Sequence, residues 1–227
     1  MTLPAAYDDS LWAMLGWLAG ARAPNGVPIL TGLEQASPSP DDLKALCAAF
    51  GTTSGAPLLH VRGHTPEGHL QPADGAPRFQ ITPEDFREVW RRFNAGPAQV
   101  DLVAIGSPHD SLGECRALAQ NLAGQKCHHE VRTIITLGRD VLAAATREGL
   151  TATLETAGVQ VIPDLCWCSI TEPIFPARAK VLMTNSGKYA HYADGLTGRA
   201  VRFGGLEDCA HVALTGIART DLPEWLK

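Results

Sequence analysis

The chain has 227 residues, of which 45% are hydrophobic and 19% charged, so it is long enough and apolar enough to bury a full core as one large domain or two small ones. Its formal charge is -5 and it contains no basic run, which excludes the phosphate-binding surface that nucleic-acid-binding proteins need. The first residues lack the features of a signal peptide and no apolar run reaches membrane-spanning length, so we expect a cytoplasmic protein without membrane contact.

The first predicted element is a helix over residues 9–19 that is apolar on most of its faces. Leu11, Trp12, Met14, Leu15, Trp17 and Leu18 all fall within it. A helix of this kind must be covered from more than one side. We therefore expect its covering surface to be missing, so that residues 11–18 form an exposed cut surface.

Apolar runs alternate with helical patterns along the rest of the chain. Helix starts are indicated where a side-chain oxygen precedes acidic residues, at Ser39, at Thr82 and at Asp110–Ser111. The runs typical of strands cover residues 57–61, 100–106, 131–136, 159–162, 180–183 and 200–203. Strands bracketed by helices predict an α/β fold, a mostly parallel sheet with helices on both faces.

Polar side chains follow three of these strands at the point where each strand ends. They are Ser107 and His109, Asp164 and Cys166, and Asn185 and Ser186. Parallel sheets bind their ligands at the carboxyl edge of the strands. We therefore expect one site to collect these side chains along a single rim.

The six cysteines fall into two groups. Cys47 and Cys115 lie on apolar helix faces and are predicted to be core residues, whereas Cys127 precedes two histidines in a predicted surface loop. Cys166, Cys168 and Cys209 remain as candidates for chemistry. Their spacing leaves three options open: a zinc site, an iron-sulfur cluster with one open iron, and a cysteine nucleophile with His109 or His191 as its base.

Seven motifs in order carry a resemblance to a known family. The motifs are Leu-Gly-Trp-Leu-Ala-Gly at 15–20, Asp-Asp-Leu-Lys-Ala-Leu at 41–46, His-Val-Arg-Gly-His-Thr-Pro-Glu at 60–67, Gly-Ser-Pro-His-Asp-Ser-Leu at 106–112, Asp-Leu-Cys-Trp-Cys at 164–168, Thr-Asn-Ser-Gly-Lys-Tyr-Ala-His-Tyr at 184–192, and Val-Arg-Phe-Gly-Gly-Leu-Glu-Asp-Cys at 201–209. With these motifs the chain resembles the catalytic large subunit, or large domain, of the aconitase X family, and within it the cis-3-hydroxy-L-proline dehydratase branch.

The resemblance implies a hydro-lyase that removes water from a hydroxylated carboxylic acid and uses an iron-sulfur cluster. A small subunit or fused domain of the swivel type would complete the active site. Cys166 is then the first cluster ligand, with Cys209 as a second and Cys168 as an alternate. Ser107, Asn185 and Ser186 would bind the substrate, and Lys188 and His109 would take catalytic roles: Lys188 supplies a donor to the substrate carboxylate and His109 relays a proton or positions its neighbours.

Two departures from the family pattern accompany the resemblance. Ser107 stands where many relatives have a cysteine, which replaces a thiolate by a poor iron ligand. The long upstream portion of the large subunit is also absent, so residues 1–227 are interpreted as the C-terminal part of a larger aconitase-like catalytic unit, with a candidate sub-boundary near residues 65–80. We expect this chain to be inactive without that portion and the small subunit.

Two other functions are compatible with the sequence besides hydroxyproline dehydration. The first is a phosphomevalonate dehydratase large subunit, for which Arg62, Arg139, Lys188 and Arg202 would be the cations available to a phosphate. The second is a non-catalytic domain that retains the fold and holds a ligand or a partner.

Overall fold

The computed structural model describes residue 4 and residues 6–227, which form two units by their internal contacts. The first unit comprises the described residues up to 91 together with 222–227, and the second comprises residues 92–221. The division follows Arg91, later in the chain than the Pro- and Gly-rich loop at 65–80. In the part of the chain that is described, no helix combines the length and the hydropathy needed to cross a membrane.

The first unit is built mainly from helices. Its elements are α1 (Ser10–Arg22), β1 (Ile29–Leu30), α2 (Pro40–Thr53), β2 (His60–Val61) and most of α3 (Pro83–Phe93). The two short strands pair in parallel, Ile29 with His60 and Leu30 with Val61. The predicted strand over residues 57–61 is therefore limited to its last two residues.

Helix α1 is covered within the chain, so the prediction of an exposed cut surface is wrong. Leu11, Met14 and Leu15 are at most 1% exposed. The cover comes from α2, whose backbone approaches so closely that a Cβ at Gly16 would collide with the carbonyl group of Leu46. The glycine allows a backbone approach that the apolar pattern alone does not reveal.

The second unit alternates strands and helices. Its elements are β3 (Leu102–Asp110), α4 (Leu112–Leu122), β4 (Arg132–Leu137), α5 (Arg139–Arg147), α6 (Leu150–Ala157), β5 (Val159–Pro163), a 3-10 turn (Trp167–Ser169), β6 (Val181–Thr184), α7 (Gly187–Thr197), β7 (Ala200–Phe203) and α8 (Leu206–Thr215). Five of the six predicted strands are thus found close to their predicted bounds.

The five strands form one parallel sheet in the order β5-β4-β3-β6-β7. From β3 the chain moves outward through β4 to β5, and it then returns to the other side of β3 to build β6 and β7. The strand order therefore reverses between β3 and β6. In sheets of this type the crevice at that reversal, at the carboxyl ends of the strands, is where ligands bind.

Helices cover both faces of the sheet, which confirms the predicted fold class. On one face Val103 and Ile105 pack with residues of α4, α6 and α8. On the other face Leu102 and Ala104 pack with Trp167 and with residues of α7. The alternation along β3 follows the two-residue period of a strand that is buried on both sides.

The predicted helix starts are also confirmed. Ser39 and Ser111 each accept a hydrogen bond from the backbone N–H three residues later, in reciprocal capping boxes that open α2 and α4. Thr82 and Asp85 make the same exchange ahead of α3. These caps satisfy N–H groups that the first helical turn leaves without acceptors.

Candidate functional site

The carboxyl end of β3 is irregular, and this irregularity shapes the site. Gly106 has φ +103°. The pairing register between β3 and β4 shifts between Ile105 and Asp110. A side chain at Gly106 would collide with the backbone of Thr136, whose hydroxyl donates to the Gly106 carbonyl oxygen at 2.7 Å. The strand therefore bulges at residues 106–109 and places them at the rim.

Ser107 and Ser186 join the ends of β3 and β6 across the strand-order reversal. The Ser186 hydroxyl donates a hydrogen bond to the Ser107 carbonyl oxygen and accepts one from the backbone N–H of Tyr189 at 2.9 Å. The backbone N–H of Ser186 in turn donates to the Thr184 hydroxyl at 3.1 Å. Ser186 uses its only hydrogen within the protein, so it organises the site rather than donating to a ligand.

The first turn of α7 leaves hydrogen-bond donors open beside Ser107. The N–H groups of Gly187 and Lys188 begin the helix and have no acceptor within it. Ser107 is 3% exposed, and its hydroxyl has no hydrogen-bond partner among the described residues. Because buried hydroxyls are normally paired and a helix N-terminus favours anions, this combination fits a bound carboxylate.

Two further predicted residues border the same helix start. Asn185 and Lys188 are half-buried, and no hydrogen bond or ion pair within the described residues engages their side chains. An amide and an ammonium group both donate to oxygen anions. The structure thus brings Ser107, Asn185, Ser186 and Lys188 together at one place in the sheet.

The loop that carries Cys166 is held in place by contacts of the residues before and after this cysteine. Asp164 has φ +59°, and its carboxylate accepts hydrogen bonds from the Arg139 backbone N–H at 3.0 Å and from the Arg139 guanidinium at 2.7 Å. Arg139 holds the pKa of Asp164 below its usual range. The ring Nε2 of His109 lies 2.9 Å from the Leu165 carbonyl oxygen. These contacts fix the backbone immediately before Cys166.

Trp167 fixes the loop from the other side. Its indole N–H donates to the Ile105 carbonyl oxygen at 2.7 Å, and its ring is 1% exposed. The ring packs against Tyr189 at a centroid distance of 5.4 Å and against Phe175 at 6.4 Å. Anchored in this way, Trp167 separates two cysteines that remain accessible, Cys166 being half-buried and Cys168 exposed.

The two thiols interact with each other and with residues of α7. Partial burial raises the pKa of Cys168, the neighbouring Cys166 raises it further, and the ammonium of Lys188 opposes both effects. Beneath the thiols lies Tyr189, whose buried hydroxyl has no hydrogen-bond partner among the described residues. Burial also raises the pKa of this phenol. The sequence analysis did not single out Tyr189 because only the packing reveals its unpaired hydroxyl.

Cys209 lies elsewhere. It is fully buried in the core between the sheet and helices α4 and α8. Trp167, beside Cys166, belongs to the core on the opposite face. The structure therefore does not bring Cys209 together with Cys166 and Cys168.

The remaining cysteines follow their predicted environments only in part. Cys115 is fully buried, which confirms its core assignment, whereas Cys47 is exposed and its prediction as a core residue is wrong. Cys47 follows Leu46 on α2, and of these two residues only Leu46 is buried. Cys127 is half-buried, and burial raises the pKa of its thiol.

The two candidate bases have different surroundings. His109 lies at the rim and presents its Nε2 to a backbone carbonyl, which only accepts, so that nitrogen carries a hydrogen. His191 lies on α7 with its ring edge-on to Tyr192 at 4.8 Å. Burial, followed by the charge of Arg92, lowers the pKa of His191.

Family models match nearly the whole chain. The model for the aconitase X second domain matches residues 3–91, and that for the aconitase X third domain matches residues 100–215. The chain belongs to the aconitase X family. The ends of these matches bracket the division between the two structural units.

Curated dehydratases and a solved aconitase X structure are similar over most of this chain. Cis-3-hydroxy-L-proline dehydratase of Pseudomonas aeruginosa is 44% identical over 97% of this chain, and that of Hypocrea jecorina is 39% identical over 98%. The phosphomevalonate dehydratase large subunit of Methanocaldococcus jannaschii is 32% identical over 89%. The holo-form crystal structure of Thermococcus kodakaraensis aconitase X has a TM-score of 0.77 and 29% identity over 90% of this chain.

The chain is much shorter than these aconitase X relatives. It spans 39% and 38% of the length of the two hydroxyproline dehydratases, 50% of the M. jannaschii subunit and 52% of the solved T. kodakaraensis chain. Those proteins therefore contain segments that have no counterpart in these 227 residues.

A complete metal site is not present in the described part of this aconitase X chain. No group of three or more His, Cys, Asp or Glu residues there is arranged to hold a metal ion. Cys166 and Cys168 supply two thiols, whereas an iron-sulfur cluster takes three or four protein ligands. The described residues thus fit part of a ligand set and not a whole one.

Proposed function

We propose that this chain carries the substrate-anchoring part of a hydro-lyase that removes water from a hydroxylated carboxylic acid. The preferred substrate is cis-3-hydroxy-L-proline and the product is pyrroline-2-carboxylate. The observation that carries the proposal is the anion site at the strand-order reversal. There the buried Ser107 hydroxyl has no hydrogen-bond partner among the described residues, and the first N–H groups of α7 have no acceptor within the helix.

The substrate carboxylate occupies that site. It accepts hydrogen bonds from the backbone N–H groups of Gly187 and Lys188, from the Ser107 hydroxyl and from the Asn185 amide. The Lys188 ammonium adds a charge-assisted hydrogen bond, which is stronger than a neutral one. Ser186 holds the ends of β3 and β6 together and so fixes the geometry of these donors.

Dehydration needs a proton to leave the carbon that bears the carboxylate and a hydroxyl to leave the neighbouring carbon. Donors on the carboxylate oxygens stabilise the negative charge that develops there as the proton departs. Lys188 is in the position to contribute most, because it combines a full charge with proximity to the helix start. His109 acts by holding the Leu165 carbonyl oxygen, and through it Cys166.

The available cations favour a carboxylate over a phosphorylated substrate. Arg139 is paired with Asp164, and Arg202 is 4% exposed and donates to the backbone carbonyls of Asn94, Gly96 and Arg219. Arg139, Arg202 and Lys188 are the cations in the second unit that a phosphate could use. Of these three, Lys188 is the one available at the start of α7. One ammonium suits one carboxylate, and this argues for hydroxyproline over phosphomevalonate.

Cys166 is proposed as one ligand of an iron-sulfur cluster, with Cys168 as an alternate. Such a cluster supplies an electrophilic iron for a leaving hydroxyl. Its other ligands would come from segments that the longer relatives possess, because Cys209 is buried in the core on the opposite face of the sheet. A small subunit of the swivel type completes the active site, in keeping with the relatives that are named as large subunits.

The test is reconstitution. The 227-residue chain is purified anaerobically, alone and with the polypeptides that supply the remaining segments and the small subunit, and is assayed for pyrroline-2-carboxylate. Turnover of cis-3-hydroxy-L-proline is expected in the reassembled protein. Binding of a metabolite by every assembly without any dehydration would instead support a non-catalytic domain.

Cys166→Ser tests the ligand assignment in the same assembly. The variant is expected to lose cluster absorbance and iron while keeping the circular dichroism of the parent, since Cys166 is partly exposed at the rim. Cys47→Ser is the matched control, because Cys47 is exposed in the first unit. Full iron content in Cys166→Ser would refute the assignment.

A further inference from the structure

Cys166 and Cys168 form a pair that the proposed dehydration uses at most singly. No other two of the six cysteines lie so close in the sequence. Only Trp167 separates them, and Cys166 is close enough to raise the pKa of the Cys168 thiol. Cys168 is exposed and Cys166 half-buried, so a small reagent in solution reaches this pair.

The loop holds the two cysteines at a separation that a disulfide can bridge. Consecutive Cα atoms are about 3.8 Å apart, and the 3-10 turn at Trp167–Ser169 bends the path between them. The Cα atoms of Cys166 and Cys168 therefore fall within the roughly 7 Å that a disulfide allows. The anchored indole of Trp167 and the fixed Leu165 carbonyl keep the turn in this shape.

We propose that Cys166 and Cys168 constitute a dithiol site that reacts reversibly with low-molecular-weight disulfides such as glutathione disulfide. One cysteine, as its thiolate, attacks a sulfur of the reagent, breaks its S–S bond and releases one thiol. The other cysteine then attacks the mixed disulfide and releases the second thiol. The protein dithiol loses two electrons and its two protons end on the released thiols, so the reaction balances without a further oxidant.

The site goes beyond the proposed dehydration, and its detection does not depend on that activity. Where Cys166 also serves as a cluster ligand, formation of the disulfide removes its thiolate, and only the reduced form can take up the metal. The dithiol site is tested by the mass of a peptide, whereas the proposed dehydration is tested by turnover, so the failure of one is distinguishable from the failure of the other.

The experiment uses the 227-residue chain with mixtures of reduced and oxidised glutathione. After equilibration the free thiols are alkylated at low pH and the chain is cut with trypsin. The tryptic peptide 148–178 contains Cys166 and Cys168 and no other cysteine. We expect this peptide to lose both alkylation sites together and to become lighter by two hydrogens, with dithiothreitol restoring both sites.

Two variants separate a built site from general thiol oxidation. Cys168→Ser is expected to yield a glutathione adduct on Cys166 in place of the internal disulfide, whereas Cys47→Ser should react as the parent does. In the parent, Cys47 serves as the exposed single cysteine for comparison. The proposal is overturned if peptide 148–178 keeps both alkylation sites at every glutathione ratio, or if it accumulates stable glutathione adducts without an internal disulfide.

Discussion

At the scale of single residues, the most informative atom is the Ser107 hydroxyl oxygen, which is buried and has no hydrogen-bond partner among the described residues. A protein gains no stability from such a group, because the hydroxyl has lost water and found no replacement. Its presence at the start of α7 is explained if a ligand supplies the missing partner.

Ser107→Ala should therefore separate binding from stability. We expect the free energy of unfolding to stay level or to rise by up to about 1 kcal/mol, because no internal hydrogen bond is lost. Substrate affinity in the reassembled enzyme should fall roughly tenfold, since a hydrogen bond to a carboxylate disappears. Urea denaturation and the KM for hydroxyproline are the measurements.

The opposite pattern is expected for Ser39→Ala. This change removes the capping box of α2 and should cost about 1 kcal/mol of stability without changing KM. A large loss of stability in Ser107→Ala would show that the hydroxyl has an internal partner after all.

Asp164 provides a pH-dependent test at the same scale. Arg139 depresses the pKa of Asp164, so the stabilisation is present above the unfolded pKa of about 3.9 and is lost as the pH falls through the lower folded value. Asp164→Asn should lower thermal stability at pH 7 and make little difference near pH 2. Thermal unfolding across this range is the measurement, with the exposed loop variant Asp74→Asn as a control that should match the parent throughout.

At the scale of elements, the bulge at the end of β3 determines where the site residues lie. Gly106 combines a positive φ with a backbone contact that leaves no room for a Cβ atom. The strand can therefore turn residues 106–109 towards the rim while it stays paired with β4 up to Ile105.

Gly106→Ala should damage both the fold and the site. Strain in the left-handed region and the collision with Thr136 together should cost at least about 3 kcal/mol of stability. Gly138→Ala is a suitable control, because nothing lies near a Cβ built there and its φ is -75°. Chemical denaturation measures both variants, and a Gly106→Ala protein as stable as the Gly138→Ala protein would contradict the role given to the bulge.

Local sequence signals predicted the helices and strands well, but they predicted poorly which segments pack against each other. The strands and caps could be predicted because β-branched runs and capping residues act over a few positions, as at Ser111 and Glu114. The cover of α1 and the opposite faces of Cys166 and Cys209 depend on pairings between distant segments. Likewise, the contact of His109 with Leu165 spans 56 positions, and no local pattern indicates it.

At the scale of the whole molecule, the two units differ in how they are built. The first is a set of helices with a two-stranded parallel pair, and the second contains the five-stranded sheet with helices on both faces. The proposed anion site and the thiols of Cys166 and Cys168 lie within residues 92–221. The chemistry proposed for this chain is therefore concentrated in one unit.

A fragment of residues 92–221 should fold by itself. It contains the complete parallel sheet with helices on both faces, and cores of this size give domains a stability of about 5–15 kcal/mol. Circular dichroism and a single cooperative urea transition are expected. A fragment with helical signal but without a cooperative transition would show that the sheet needs residues outside 92–221.

Such a fragment would also carry its own optical probe. Of the five tryptophans in the chain, only Trp167 falls between residues 92 and 221. Its indole is enclosed by Tyr189 and Phe175 and is flanked in sequence by the two thiols. Fluorescence excited selectively at the tryptophan band would thus come from a single indole next to the two sulfurs, and its intensity should follow their oxidation in real time without any label.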